Sequence, residues 1–232
     1  MDIERKTTLF MKTVALIPIK LGSKRVPGKN IKPFFDGTPL MHFIQKACLE
    51  AKNIDEVYIY CSDDAVKDYI LPGVKYLKRP EYLDGDNINA NDFIKEFMNA
   101  VDADIYVNAH TTSPFAKVST IEECVEKVAS GEYDSAFCAE AIRTFMWEDN
   151  KPINFDPDYF PRTQDLPLIY GETSIAYVFT KESFIKHNRR LGVHPYIKEV
   201  DKIEAMDIDY PEDFEICNAI YKEILKNECS NN

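Results

Sequence analysis

Apolar runs of strand length alternate with stretches of helix length along most of the chain, and this alternation restricts the fold more than any other feature. Thr13 to Ile19, Glu56 to Cys61, Val74 to Leu77, Asp104 to Ala109, Asp134 to Ala139, Ile175 to Phe179 and Ile203 to Ile208 read as strands. Between them lie helical patterns. The first follows Gly37-Thr38-Pro39, with Thr38 as N-cap, Pro39 at the first helical position and a stripe of Leu40, Phe43, Ile44 and Ala47. Others run from Asp63 to Leu71, from Asn91 to Val101, from a capping box at Ser119-Thr120-Ile121-Glu122 to about Ser130, from Lys181 to His187, and from Pro211 to Leu225. Strands separated by helices form a mostly parallel sheet covered on both faces, so the expected architecture is a Rossmann-like three-layer α/β/α fold. Such sheets bind ligands beyond the C-terminal ends of their strands.

Residues 142–170 break the pattern. Met146-Trp147, Phe155, Tyr159 and Phe160 are mixed with prolines and charges and show no period. This segment reads as an inserted arm or lid whose aromatics could dock on a partner subunit. Residues 1–10 read as an N-terminal extension before the first strand. The 232 residues suffice for one domain with a sizeable core.

A formal net charge of -11 argues against general binding to nucleic acid or anionic membranes. The apolar runs are too short to span a bilayer, and Met1 to Lys6 lacks the apolar core of a signal peptide, so a cytoplasmic location is expected. Cys48, Cys61, Cys124, Cys138, Cys217 and Cys229 show no metal-ligand spacing and read as buried thiols.

Against that acidic background one stretch stands out. Ile17 to Asn30 runs from a strand into a loop with Gly22 and Gly28. Lys20, Lys24, Arg25, Lys29 and Lys32 fall within thirteen residues, with no acid between Glu4 and Asp36. A basic, glycine-bearing loop at a strand end suits a polyphosphate, because backbone N–H groups can approach the anion and the cations offset its charge. It is neither a Walker loop nor a dinucleotide fingerprint, since Gly28-Lys29 is followed by Asn30 and Gly-x-Gly-x-x-Gly is absent. A solvated surface loop is the alternative.

Asp207 and Asp209 form a second constellation. Alternation along a strand would put both carboxylates on one side, where they repel unless a cation intervenes, and oxygen ligation suits Mg²⁺. The alternative is a helix-entry turn before Pro211. His110 ends a strand and could contact a ligand or be structural. Thr112 and Ser113 are candidate hydroxyl donors or loop caps. Arg162 could pair with an acidic ligand or with Asp158 or Asp165.

The basic loop resembles the signature of the acylneuraminate cytidylyltransferase family, roughly Pro-Ala-Arg-x-Gly-Ser-Lys-x-x-x-x-Lys-Asn. That family includes the CMP-sialic acid synthetases and, more distantly, the CMP-Kdo synthetases. Ser23, Lys24, Lys29 and Asn30 match, and Lys20 replaces the arginine. Cys61-Ser62-Asp63-Asp64 is similar to the family's Ser-Thr-Asp-Asp. Arg79-Pro80 and Gly85-Asp86 fall where the family contacts the nucleotide, with Asn89 near a family serine. Thr112-Ser113-Pro114-Phe115 resembles Gln-Pro-Thr-Ser-Pro-Leu, His110 replacing the glutamine. Arg162-Thr163-Gln164-Asp165-Leu166-Pro167 resembles Arg-Arg-Gln-Asp-Leu-Pro, and Met206 to Asp213 resembles Ile-Asp-Ile-Asp-Thr-Pro-Glu-Asp.

The resemblance implies a nucleotidyltransferase that joins CMP from CTP to an acidic acceptor, releases pyrophosphate, uses Mg²⁺ and works as a homodimer through its arm. It implies nucleotide binding by Lys20, Leu21, Gly22, Ser23, Lys24, Lys29, Asn30, Arg79, Asn89, His110, Thr112 and Ser113. It further implies catalysis by Lys20, Lys29, Asp207 and Asp209, Mg²⁺ on Asp207 and Asp209, and acceptor binding by Arg162 and Gln164. The sequence departs from the family on the acceptor side. Thr173-Ser174, preceded by Glu172, replaces Asn-Gly, Thr163 replaces an arginine, and the arm before Arg162 is short. The acceptor is therefore open among sialic acid, another nonulosonic acid, and a smaller acid or phosphonate. A glycosyltransferase with an Asp-x-Asp motif and a non-catalytic nucleotide-binding module are the rival readings.

Overall fold

The computed structural model describes residues 11–230, with side chains through residue 225. The expected extension at residues 1–10 and the side chain of Cys229 lie outside the described residues. Seven strands form one sheet, in the order β3-β2-β1-β4-β8-β5-β9. They are β1 (Thr13–Ile19), β2 (Glu56–Cys61), β3 (Val74–Lys78), β4 (Ile105–Ala109), β5 (Ser135–Ile142), β8 (Ile169–Thr180) and β9 (Pro195–Val200). A separate hairpin, β6 (Trp147–Glu148) with β7 (Lys151–Pro152), sits in the inserted segment. Only β8 in the large sheet runs antiparallel to its neighbours β4 and β5.

The helices are α1 (Leu40–Glu50), α2 (Ala90–Ala100), α3 (Val118–Ala129), α4 (Lys181–His187) and α5 (Pro211–Ser230). Alternation along β1 explains the layering. Ala15, Ile17 and Ile19 face a core shared with Met41, Ile44 and Ala47 of α1 and Ile121, Cys124 and Val128 of α3. Val14 and Leu16 face the opposite core, with Ile94 and Phe97 of α2 and Phe184 of α4. The expected three-layer α/β/α fold is thus present. Cys48, Cys61, Cys124, Cys138 and Cys217 are buried free thiols, as expected.

Several local expectations fail, each for a tertiary reason. Ile203 to Ile208 is not a strand. The Asp201 carboxylate accepts hydrogen bonds from Ile203 N and Glu204 N, both at 3.0 Å, and curls the chain into turns. This turn buries Glu204, whose Oε1 accepts from Lys117 N at 3.1 Å, at the entrance to α3. The capping box at Ser119 consequently does not form: α3 starts at Val118, and Ser119 lies inside it. One buried carboxylate from 87 residues downstream overrides the local signal.

The last strand is instead β9, an edge strand opening on Pro195. Its Tyr196 and Lys198 both bond the Glu123 carboxylate of α3, at 2.5 Å each. β8 begins six residues before its apolar run, because Ile169 to Glu172 pairs with Ala139 to Ile142 beyond the main core. α1 starts at Leu40 with Pro39 as its N-cap, so Thr38 stands just outside the cap. The stretch from Asp63 to Leu71 forms a 3₁₀ turn over Asp64–Tyr69.

The inserted segment grows from the extended β5–β8 ribbon. Asp149 and Asn150 both adopt positive φ (46° and 61°), the two-residue turn that matches hairpin twist. Phe155 packs against Phe145, Trp147 and Phe160, while Trp147, Tyr159 and Phe160 remain exposed.

Candidate functional site

β1, β2 and β4 are parallel, so their C-terminal ends open on the same side of the sheet. The basic loop leaves β1 there. Gly28 takes a left-handed conformation (φ 63°) that an L side chain would strain, and it starts a 3₁₀ turn over Lys29–Ile31. The turn drives Lys29 and Asn30 inward. Asn30 becomes a strut: its Nδ2 donates to Lys20 O at 2.9 Å, and its Oδ1 accepts from Thr111 Oγ1 at 2.6 Å. Asn30 therefore ties the loop to the end of β4 rather than pointing only at a ligand.

A cleft of about 340 Å³ opens beside the loop. Of the expected nucleotide-binding residues, Lys20, Gly22, Ser23, Lys24, Lys29, Asn30, His110 and Thr112 line it, joined by Arg25, Asp86 and Thr111. A Cβ on Gly22 would meet nothing within 4 Å, so the loop leaves room at that point for a close ligand. Ser23 N is spent within the loop on Leu21 O at 3.0 Å. Two larger clefts, of about 580 and 690 Å³, lie around α4 near Lys181. They lack the convergence of cations and strand ends, and the smaller cleft is the better site.

The remaining expected residues stand apart from the cleft lining. Leu21 packs on the core. Arg79 is buried and donates to Asp84 Oδ1 at 2.5 Å, while Ser62 bonds the other carboxylate oxygen. Asn89 caps α2, its Oδ1 accepting from Asn91 N at 2.8 Å and Asp92 N at 3.3 Å. Ser113 is buried with its hydroxyl lacking a hydrogen-bond partner. Arg162 is largely exposed (74%) and forks onto Asp165 at 2.7 and 3.1 Å. Gln164 is also exposed, and its backbone carbonyl accepts from Arg143.

Asp207 and Asp209 do not alternate along a strand. They flank Ile208 in the passage to α5, where Asp213 Oδ2 accepts from Asp209 N and Tyr210 N at 2.9 and 2.7 Å. The Asp209 carboxylate nevertheless reaches the basic loop. Ile208 N donates to Thr112 O at 2.9 Å, which holds this passage against the end of β4. Lys29, only 9% exposed, donates to Ile208 O at 2.6 Å and stands 3.5 Å from Asp209. Arg25 grips Asp209 with both guanidinium nitrogens, at 2.8 and 3.0 Å. Asp207 Oδ1 is buried and finds no hydrogen-bond partner among the described residues. Burial raises the Asp207 carboxyl above its ordinary range and Asp209 adds to this, whereas the Thr112 hydroxyl and Lys29 oppose it.

His110 stands half-buried at the end of β4. Burial, then Arg190, then Lys29 push its imidazole from 6.5 down to about 3, so it is neutral at physiological pH. The sign of the linkage follows. Below about pH 6.5 the unfolded chain binds a proton that the folded chain refuses, so stability is lost as the pH falls towards 3. This linkage is worth about 2 kcal/mol between pH 7 and pH 5. Urea unfolding at the two pH values should show that extra acid sensitivity in the wild type and its loss in His110→Gln. Parallel pH dependence in both proteins would mean that His110 titrates freely.

Arg25, Thr111 and Arg190 with its partners Asn108, Glu172 and Tyr177 were not among the expected site residues, whereas Asp86 lies in the Gly85-Asp86 stretch already singled out. Arg25 and Thr111 adjoin matched motifs and could have been found by proximity. Nothing local to Arg190 announces it.

A family model described as cytidylyltransferase matches residues 14–227. N-acylneuraminate cytidylyltransferase A of Danio rerio is 27% identical over 212 residues, covering 87% of this chain and 49% of that protein. The N-acylneuraminate cytidylyltransferase of Streptococcus agalactiae serotype V is 25% identical, covering 88% and 52%. The chain thus spans about half the length of these relatives. The pseudaminic acid cytidylyltransferase of Campylobacter jejuni serotype O:2 is 24% identical, covering 91% of this chain and 97% of that one. Among solved structures, CMP:2-keto-3-deoxy-manno-octonic acid synthetase complexed with CTP has the same fold, with a TM-score of 0.71 at 20% identity over 91% of this chain and 99% of that one.

Proposed function

The chain belongs to the cytidylyltransferase family, and from that premise we propose that it transfers CMP from CTP to an acidic sugar, a sialic-acid-like nonulosonic acid, with release of pyrophosphate. The observation that carries this reading is the junction of the Ile208-Asp209 passage, which Asp207 opens, with the cationic loop through Lys29 and Arg25, beside one cleft. The relatives named for N-acylneuraminate and pseudaminic acid support the acceptor class.

In this reading the acceptor hydroxyl attacks the α-phosphorus in line and pyrophosphate leaves. Lys20 neutralises charge near the α-phosphate, and Gly22, Ser23, Lys24 and Lys29 hold the triphosphate tail. Lys20 now donates to Asp84 O at 2.5 Å, and Lys24 pairs with Asp86 at 3.2 Å. These exposed contacts are weak enough to be exchanged for phosphate oxygens. Arg25 would likewise leave Asp209 for the nucleotide. Cytosine would be read by backbone groups and by residues near Arg79 and Asn89.

The donor set fits Mg²⁺. Asp207 Oδ1 is a buried carboxylate oxygen without a partner, and Asp209 is beside it. Asp207 and Asp209 would hold the ion, which supplies charge neutralisation at phosphate oxygens and a lowered pKa for the attacking hydroxyl. Arg162 and Gln164 belong, in this reading, to an acceptor site closed by the arm of a partner subunit. The exposed aromatics of the arm suit such a contact.

Incubation with CTP, Mg²⁺ and N-acetylneuraminate, pseudaminate or 3-deoxy-manno-octulosonate tests the proposal. Pyrophosphate release with a CMP conjugate in the mass spectrum is expected, and EDTA should abolish it. Transfer from a nucleotide sugar without pyrophosphate would favour a glycosyltransferase. CTP binding with no conversion of any acid would favour a binding module.

A further inference from the structure

Arg190 lies beyond α4, outside every motif that matches the family, yet its side chain is only 22% exposed. Its guanidinium carbon stacks 3.3 Å from the centroid of the Tyr177 ring on β8. Its polar contacts are long. Nη1 reaches Asn108 Oδ1 and His110 Nε2 at 3.5 Å each, and Nη2 stands 3.7 Å from Glu172 Oε1. A guanidinium offers five donors, and none of these contacts is a short charge-assisted bond. The same Glu172 oxygen already accepts from Tyr177 OH at 2.5 Å. The neighbouring Asn108 Nδ2 is buried with no hydrogen-bond partner among the described residues. This is a largely buried cation whose countercharge is incomplete, next to a histidine that lines the cleft.

The arginine is also held in place. Arg190 N donates to Asn91 Oδ1 at 3.1 Å. Downstream, the Asp134 carboxylate accepts from Val193 N at 2.7 Å and His194 N at 3.1 Å, and Ser135 Oγ accepts from Gly192 N at 2.9 Å. A Cβ on Gly192 would lie 2.3 Å from Asp134, so this latch requires glycine. Such anchoring suits a group that must present a fixed fork to a ligand.

The geometry points to Arg190 as a specificity-determining residue that receives the carboxylate of the acidic acceptor, beside His110. This rests on the cytidylyltransferase reading above. A carboxylate there gains two parallel N–H···O bonds and completes the neutralisation that Glu172 begins. Arg162, exposed and forked onto Asp165, offers no comparable buried cation within the same subunit. The changed residues Glu172 and Thr173-Ser174 adjoin this cluster. The acceptor side of the family pattern therefore diverges next to this cation.

The test compares N-acetylneuraminate and 3-deoxy-manno-octulosonate with their methyl esters. Binding is read by saturation-transfer NMR with CTP present and Mg²⁺ chelated, for wild type, Arg190→Gln and Arg190→Lys. Thermal unfolding and CTP affinity report whether each variant is intact. The wild type should bind at least one acid about 10- to 100-fold better than its ester, the range for hydrogen bonds to a charged group. Arg190→Gln should bind acid and ester alike, Arg190→Lys should recover part of the difference, and CTP affinity should stay within about twofold. An unchanged acid-to-ester ratio in Arg190→Gln, or no binding of either acid to the wild type, overturns the proposal. Should Arg190→Gln misfold, a wild-type-like ratio in Arg190→Lys would also overturn it, since an ammonium lacks the fork. Pyrophosphate release separates the two readings. Release with an unchanged ratio sinks only the role of Arg190, whereas Arg190-dependent acid binding without release sinks only the transfer reaction.

Discussion

Asp207→Asn should lower kcat about 10³-fold, the scale for removing a preorganised electrostatic contact to developing charge, while leaving the protein at least as stable as the wild type. The two halves of this expectation come from one observation. Asp207 Oδ1 is buried without a hydrogen-bond partner, and burial already disfavours its charge. A carboxylate kept under those conditions costs stability, so replacing it with an isosteric amide relieves desolvation and repulsion from Asp209. The same replacement removes an oxygen that could hold Mg²⁺. Steady-state pyrophosphate release and thermal unfolding read the two halves separately. A kcat within tenfold of wild type would take Asp207 out of the reacting machinery. A large fall in Tm would show that its charge serves the fold.

Lys29→Met carries the second large effect, and here activity and stability should fall together. Lys29 is the physical link between the basic loop and the Asp207–Asp209 passage. Met retains the apolar stem but leaves Ile208 O without its 2.6 Å donor. An orphaned buried carbonyl costs about 1–3 kcal/mol. Loss of the ammonium from the proposed phosphate site should also reduce kcat/KM for CTP by about 10²- to 10³-fold. Lys29→Arg should not restore activity fully, because the nearly closed slot suits a slender ammonium rather than a planar fork. Urea unfolding and the CTP dependence of initial rates measure both effects. Unchanged kcat/KM for CTP would mean that the loop does not read the triphosphate.

The architecture was largely legible because it rests on periodicity. A central strand buried on both faces, such as β1, reads as a continuous apolar run, and α1 shows its stripe in spacing alone. Charge contrast likewise disclosed the basic loop, and the structure brings six of its expected residues together with His110 and Thr112 at one cleft. Other features were hidden because their causes are distant in sequence. Glu204 caps α3 from beyond β9, defeating both the capping box at Ser119 and the strand expected at Ile203 to Ile208. β9 was missed because an edge strand can carry charges, Glu199 on its exposed side and Lys198 paired with Glu123 of α3.

The site divides in the same way. Lys20, Lys24 and Lys29 could be recognised from type and spacing. Arg79 and Asn89 could be located but not assigned a task, since Asp84 and the end of α2 engage them. Asp207 and Asp209 were expected on a strand and stand instead in the passage to α5, because the Asp213 carboxylate turns the chain there.

By itself the sequence determined the layered α/β fold, the place of the cationic loop at a strand end and the presence of two carboxylates before α5. These depend on short-range pattern and on charge, which a chain carries wherever it goes. Only the tertiary structure decided which cations are spent on acids, which carboxylate oxygen is left unpaired and that Arg190 stands beside His110. Those facts depend on burial and on contacts between residues 80 to 184 positions apart, where the cost of an unpaired charge is set by neighbours that the local sequence does not name.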